Sequence, residues 1–170
     1  MRNTHNDFVV PAVIDKYFRD MLERFEKKGF LDNTLLIVFS DHGVRLVPYS
    51  YETQVGKLEI NLPFISMRLP KKLWGTSYHE NVLKNKNKLV NAFDVYQTLR
   101  HFLHINGNYS KELDKRQFSV NDKKTRYLRG ISLFEKIPVD RTCKDALIPD
   151  NYCSCYSETE ITENEFTKFT

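Results

Sequence analysis

Asn33-Thr34-Leu35-Leu36-Ile37-Val38-Phe39-Ser40-Asp41-His42-Gly43 is an apolar run that stops abruptly in an acid, an imidazole and a glycine. Leu35 to Phe39 are apolar without a break, and Ile37, Val38 and Phe39 are β-branched or aromatic. Turn-like Asp32-Asn33 and polar Ser40 bound the run, which predicts a strand buried on both faces, with helices on either side of it. Open α/β sheets hold their ligands just beyond the carboxyl ends of such strands, so Asp41 and His42 stand where chemistry is usually done. Gly43 then lets the backbone turn tightly beside whatever they hold.

Upstream, Val10, Val13, Ile14, Tyr17, Phe18, Met21, Leu22 and Phe25 recur at steps of three and four between charged residues, which predicts an amphipathic helix from Pro11 to Lys28. Asp7 suits its cap, and Gly29 its stop, with Phe30 folding back onto the last turn. Helix, short turn and buried strand make half of an α/β unit. Downstream, Val44 to Gly56 reads as a long loop, hence a candidate site loop. Leu62 to Pro70 reads as the next strand, with prolines marking its ends. Lys71 to Lys88 is polar and predicts a surface excursion with a short helix and an exposed His79. Asn91 followed by Asp94 marks a helix start, and Leu89, Phe93, Tyr96, Leu99, Phe102 and Leu103 keep helical spacing. His101 and His104 fall at that helix's end, where the dipole or simple packing accounts for them before a metal does. Lys111 to Arg126 is charged and reads as a mobile loop, and Arg129 to Phe134 returns to the core.

A carboxylate oxygen and an imidazole nitrogen are both good ligands for zinc, manganese and their neighbours. Taken alone, an Asp-His-Gly tripeptide is accounted for by a turn cap and a packed neutral ring. The setting adds more: Phe39-Ser40-Asp41-His42-Gly43 directly after a strand resembles the metal-binding strand end of the alkaline phosphatase and sulfatase superfamily. Gly29 to Leu35, Gly56 to Phe64, Ala92 to Leu99 and Arg129 to Phe134 fall in that superfamily's order. With Arg141-Thr142-Cys143 and Tyr152-Cys153-Ser154-Cys155 they resemble one branch of it, the domain-of-unknown-function family two-two-nine, from residue 5 to residue 155.

That resemblance implies an α/β fold: the carboxyl-terminal portion of an alkaline-phosphatase-like three-layer sandwich, with a mostly parallel sheet and helices on both faces. Residues 1–156 are then part of a catalytic domain, and 157–170 an acidic tail. It implies a metal-dependent hydrolase or transferase of phosphate or sulfate esters, with Asp41 and His42 holding a divalent ion: zinc, manganese or calcium. The nucleophile, a Ser, Thr or modified Cys, is expected upstream of this sequence, so the chain alone is expected to be inactive and to need the remainder of its own catalytic domain. His5 precedes the first helix, where the superfamily places an active-site histidine, but Met1 stands where its two-metal members carry an aspartate. Arg45 and Lys57 are candidate contacts to an anionic ester, with solvated charge as the alternative for each. The competing reading of the whole chain is a non-catalytic extracellular binding module that keeps the fold.

Lys plus Arg number 26 against 22 Asp plus Glu, and the excess is scattered, which suits solubility and predicts no specific nucleic-acid partner. No apolar run approaches the roughly 20 residues of a membrane helix. Residues 1–7 lack the apolar core of a signal peptide, so an export signal or anchor would lie upstream. Cys143, Cys153 and Cys155 are disulfide candidates, one of them left over, and Asn108-Tyr109-Ser110 is a glycosylation sequon. A zinc site is the weaker reading of three sulfurs without a nearby histidine. Together these features predict an extracellular protein or one of the secretory-pathway lumen, with anchoring to the membrane through a missing amino-terminal segment left open.

Overall fold

The computed structural model describes residues 10–43, 45, 48–107 and 130–155. His5, Asp7, Asn108, the charged stretch 111–126 expected to be a loop and the expected tail 157–170 lie outside the described residues.

Helix α1 spans Val10–Lys27. Gly29 ends it in the left-handed conformation (φ 72°), its amide donating to Glu26 O, and the Phe30 ring returns to within 6.0 Å of Phe25. After one short turn at Phe30–Asp32, strand β1 (Leu36–Phe39) pairs antiparallel with β2 (Ile65–Arg68), Leu36 opposite Arg68 and Phe39 opposite Ile65. Between the strands run two helices, α2 (Tyr49–Glu52) and α3 (Gln54–Asn61). They are followed by α4 (Ser77–Asn85) and α5 (Ala92–Ile105).

Because paired strand residues share a face, Leu36 and Arg68 look one way, Phe39 and Ile65 the other. On the first side a cavity of about 340 Å³ separates Leu36 and Arg68 from Leu22, Glu23 and Glu26 of α1. Arg68 bridges it, donating to Leu31 O (2.6 Å) and Glu26 Oε1 (2.8 Å). On the second side α4 and α5 supply Tyr78, Val82, Phe102 and Ile105 around a core of Leu69, Leu73 and Phe134. The segment from Gly130 to Ile148 has no helix or strand and is held by polar anchors. The Asn85 amide spans the Leu133, Glu135 and Ile137 backbone, and Asp94 and Thr98 receive the Ile131 and Leu133 amides.

Two expectations change here. β1 is not buried on both faces: Leu36, Ile37 and Val38 are half-buried and Phe39 is 66% exposed, since a two-stranded sheet covers little of itself. The described residues form a mixed helix and strand structure whose one sheet is antiparallel, and a parallel three-layer sandwich is not shown. A parallel neighbour needs a helix crossing the sheet, whereas α2 and α3 pack on each other, and Ser40 is tied directly to Phe64.

Candidate functional site

The tip of β1 is built by its partner. Ser40 N donates to Phe64 O (2.9 Å) and Phe64 N to Ser40 Oγ (2.9 Å), so the strand is held in register to its last residue. Gly43 N then reaches Ile60 O of α3 (3.3 Å), and a Cβ at Gly43 would lie 2.0 Å from Glu59 O, so only glycine fits the approach. Asp41 and His42 are fixed between these two anchors.

Their functional atoms converge. His42 Nδ1 lies 2.7 Å from Gly43 O, which only accepts, so Nδ1 carries the proton and Nε2 the lone pair. Asp41 Oδ2 stands 3.4 Å from that Nε2. A cation about 2.1 Å from each atom would see them about 108° apart, close to a tetrahedral angle. The second Asp41 oxygen accepts from His42 N (3.0 Å). The Asp41 carboxyl is held below its ordinary pKa, chiefly by a hydrogen bond from its own backbone, with burial opposing this and the His42 amide and Arg45 adding to the lowering. It is therefore ionised, and 84% of its side chain is open to an ion from solvent. Arg45 donates through Nη2 to His42 Nε2, the atom a metal would take. Among the described residues no third His, Cys, Asp or Glu joins Asp41 and His42 within ligating distance.

Asp41 also borders a cleft of about 480 Å³, walled by Phe39, Leu62 and Phe64 on one side and Val95, Tyr96 and Leu99 of α5 on the other. Tyr96 and Leu99, part of the helical spacing read from the sequence, line this opening and are 45% and 44% exposed. Lys57 is exposed on α3, about one turn before Ile60. His79 is half-buried and its Nδ1 accepts from Gly75 N (3.2 Å), where an exposed residue was expected. His101 packs edge-on against Tyr78 and Phe134 and meets Ser132 Oγ (3.1 Å), away from Asp41 and in line with the packing role expected of it. Cys143 is bonded to Cys153, with Cys155 as the remaining thiol.

The class these features define is a mixed helix and strand chain with an acid and an imidazole converging at a strand tip. The family described as protein of unknown function (DUF229) matches residues 1–169, and the chain belongs to it. No curated protein and no solved structure matches the chain.

Proposed function

We propose that the chain is part of a metal-dependent hydrolase or transferase acting on phosphate or sulfate esters, with Asp41 and His42 as two of the metal's ligands. The observation that carries this reading is the 3.4 Å between Asp41 Oδ2 and a lone-pair-bearing His42 Nε2. A divalent cation (zinc, manganese or calcium), when bound, neutralises charge on the ester and lowers the pKa of a hydroxyl or water. The Gly43 carbonyl fixes the His42 tautomer by accepting from Nδ1, and Arg45, which now donates to Nε2, would be free to contact the ester's anionic oxygens if a cation were held there. Lys57 stands as a second anion contact, and His5 as a third.

Two ligands do not complete a site, and the remaining ones, with the nucleophile, come from elsewhere in the catalytic domain. The exposed apolar side chains of α1 (Val13, Ile14, Tyr17 and Phe18) and of the cleft are where that remainder covers this part, giving the three-layer parallel arrangement that the resemblance implies. The disulfide and the Asn108 sequon support an exported, glycosylated protein, and among the described residues no helix is long and apolar enough to cross a membrane.

The second reading, a non-catalytic extracellular module, is favoured by Arg45: its guanidinium already satisfies His42 Nε2 without any metal. Calorimetric titration with zinc, manganese and calcium separates the two. Binding by the wild-type chain that falls at least tenfold in Asp41→Ala and in His42→Ala supports the metal site. Binding equal in all three proteins favours the module, as does a whole catalytic domain, with its remaining ligands present, that binds none of the three cations.

A further inference from the structure

We propose that Cys143, Cys153 and Cys155 form an intramolecular thiol–disulfide exchange site, in which Cys143 is the shared sulfur and Cys153 and Cys155 alternate as its partner. The inference stands apart from the hydrolase reading. Cys143 is buried and fixed by its own loop, in which Ile148 N donates to Cys143 O (2.8 Å) and Ala146 N to Thr142 O (3.0 Å). Cys153 is bonded to it, and the exposed Cys155 thiol lies 3.6 Å from the same Cys143 sulfur. Backbone spacing explains the convergence. Cys153 and Cys155 are separated by one residue in an open backbone (Cys153 φ −70°, ψ 125°). The Cys-Ser-Cys sequence aims both sulfurs at one target, and all three lie within 4.8 Å of one another.

The step needs no oxidant. Cys155 loses its proton, its thiolate forms a bond to Cys143 Sγ, the Cys143–Cys153 bond breaks, and the electron pair leaves on Cys153, which takes up a proton. Displacement runs through three nearly collinear sulfurs, which here would span about 5.6 Å from Cys155 to Cys153. The present triangle is tighter, so Cys155 swings around Cys143 before reacting, and its exposure leaves it room to do so. The outcome is a chain that offers either of two thiols for pairing with another thiol.

Alkylating the native chain with limiting N-ethylmaleimide and locating the adduct by peptide fragmentation tests this. Adducts on both Cys155 and Cys153 are expected, the Cys153 share growing with time at about pH 8.5 and suppressed at about pH 5, because the thiolate is the nucleophile. The growth rate should not depend on protein concentration. An adduct confined to Cys155 at every time and pH overturns the proposal, as does one on Cys143 or a rate proportional to concentration. In Cys153→Ser, a Cys143–Cys155 disulfide should form; a Cys143 that stays alkylatable also overturns it.

Discussion

Arg141 grips Asp94 with both terminal guanidinium nitrogens, Nη1 to Oδ2 at 2.8 Å and Nη2 to Oδ1 at 3.1 Å, the two side chains being 3% and 0% exposed. The Asp94 carboxylate is saturated, each oxygen accepting two hydrogen bonds. Asp94 also accepts from the Asn91 amide (2.8 Å) and the Ile131 amide (2.7 Å), and Arg141 also donates to Leu89 O (3.0 Å). One carboxylate therefore caps α5, pins the irregular segment at Ile131 and neutralises the arginine.

Removing one partner leaves the other charge buried and unpaired. Arg141→Met or Asp94→Asn should each lower unfolding free energy by roughly 3–5 kcal/mol in urea titrations. Because the same contact is lost in both, the double variant should cost clearly less than the sum of the single ones. Additive losses would show that the two side chains act independently.

Asn85 works without charge in the same way. Its amide nitrogen donates to Leu133 O (3.1 Å) and Glu135 O (2.7 Å), and its oxygen accepts from Ile137 N (3.1 Å), all around a buried side chain. Asn85→Ala strands three backbone groups that no helix or strand can satisfy and should cost at least about 1–3 kcal/mol. Amide hydrogen exchange should speed up at Ile137 more than at Val38 of β1. Equal acceleration at both would mean that the loss is global and the clamp is not local.

What could be read from the sequence follows from how local each signal is. The α1 stripe, the Gly29 stop, the strand β1 and the α5 start were legible because periodicity, a glycine C-cap and an Asn-Asp capping box act within a few residues. α2 was not, and together with the start of α3 it fell where a loop as far as Gly56 was expected. Gly56 read as the end of that loop, yet it sits inside α3, where a Cβ would lie 2.2 Å from Tyr49 O of α2, a contact no single-segment pattern reveals. Lys71 to Lys88 looked like surface for a similar reason: α4 is polar in composition but places Tyr78 and Val82 on the core and buries Asn85. At the site, Asp41, His42 and Arg45 were legible as residue types. That Arg45 would turn back onto His42, and that α5 would wall a cleft beside Asp41, depend on tertiary packing.

His101 gives the fold a pH dependence. Burial against Tyr78 and Phe134 lowers its pKa below 6.5, with a smaller push from His104 and a counter-effect from Glu135. A depressed folded-state value means that the unfolded chain takes up the proton first. The stabilising contribution is thus fully present above the unfolded value of 6.5 and is lost as pH falls below it through the folded value. Urea midpoints should drop between about pH 7.5 and pH 5 in the wild type, and less steeply in His101→Phe. Parallel slopes in the two proteins would remove His101 as the cause.

Gly43 offers the sharpest separation between a metal site and a mere turn. A methyl group there would lie 2.0 Å from Glu59 O and 2.6 Å from Glu59 C, both backbone atoms of α3, so the strand tip must move rather than a side chain. The Gly43 carbonyl is also what holds His42 Nδ1, so the movement rotates the imidazole and takes Nε2 away from Asp41 Oδ2 while leaving both residues in the sequence. Gly43→Ala should therefore weaken divalent-cation binding by about 10–100-fold, as loss of an orienting contact does at metal sites. The paired strands Leu36–Phe39 and Ile65–Arg68 lie outside the displaced loop, so their amide exchange protection should persist. Wild-type metal affinity in a variant whose tip has shifted would mean that the cation, wherever it binds, is not held between Asp41 and His42.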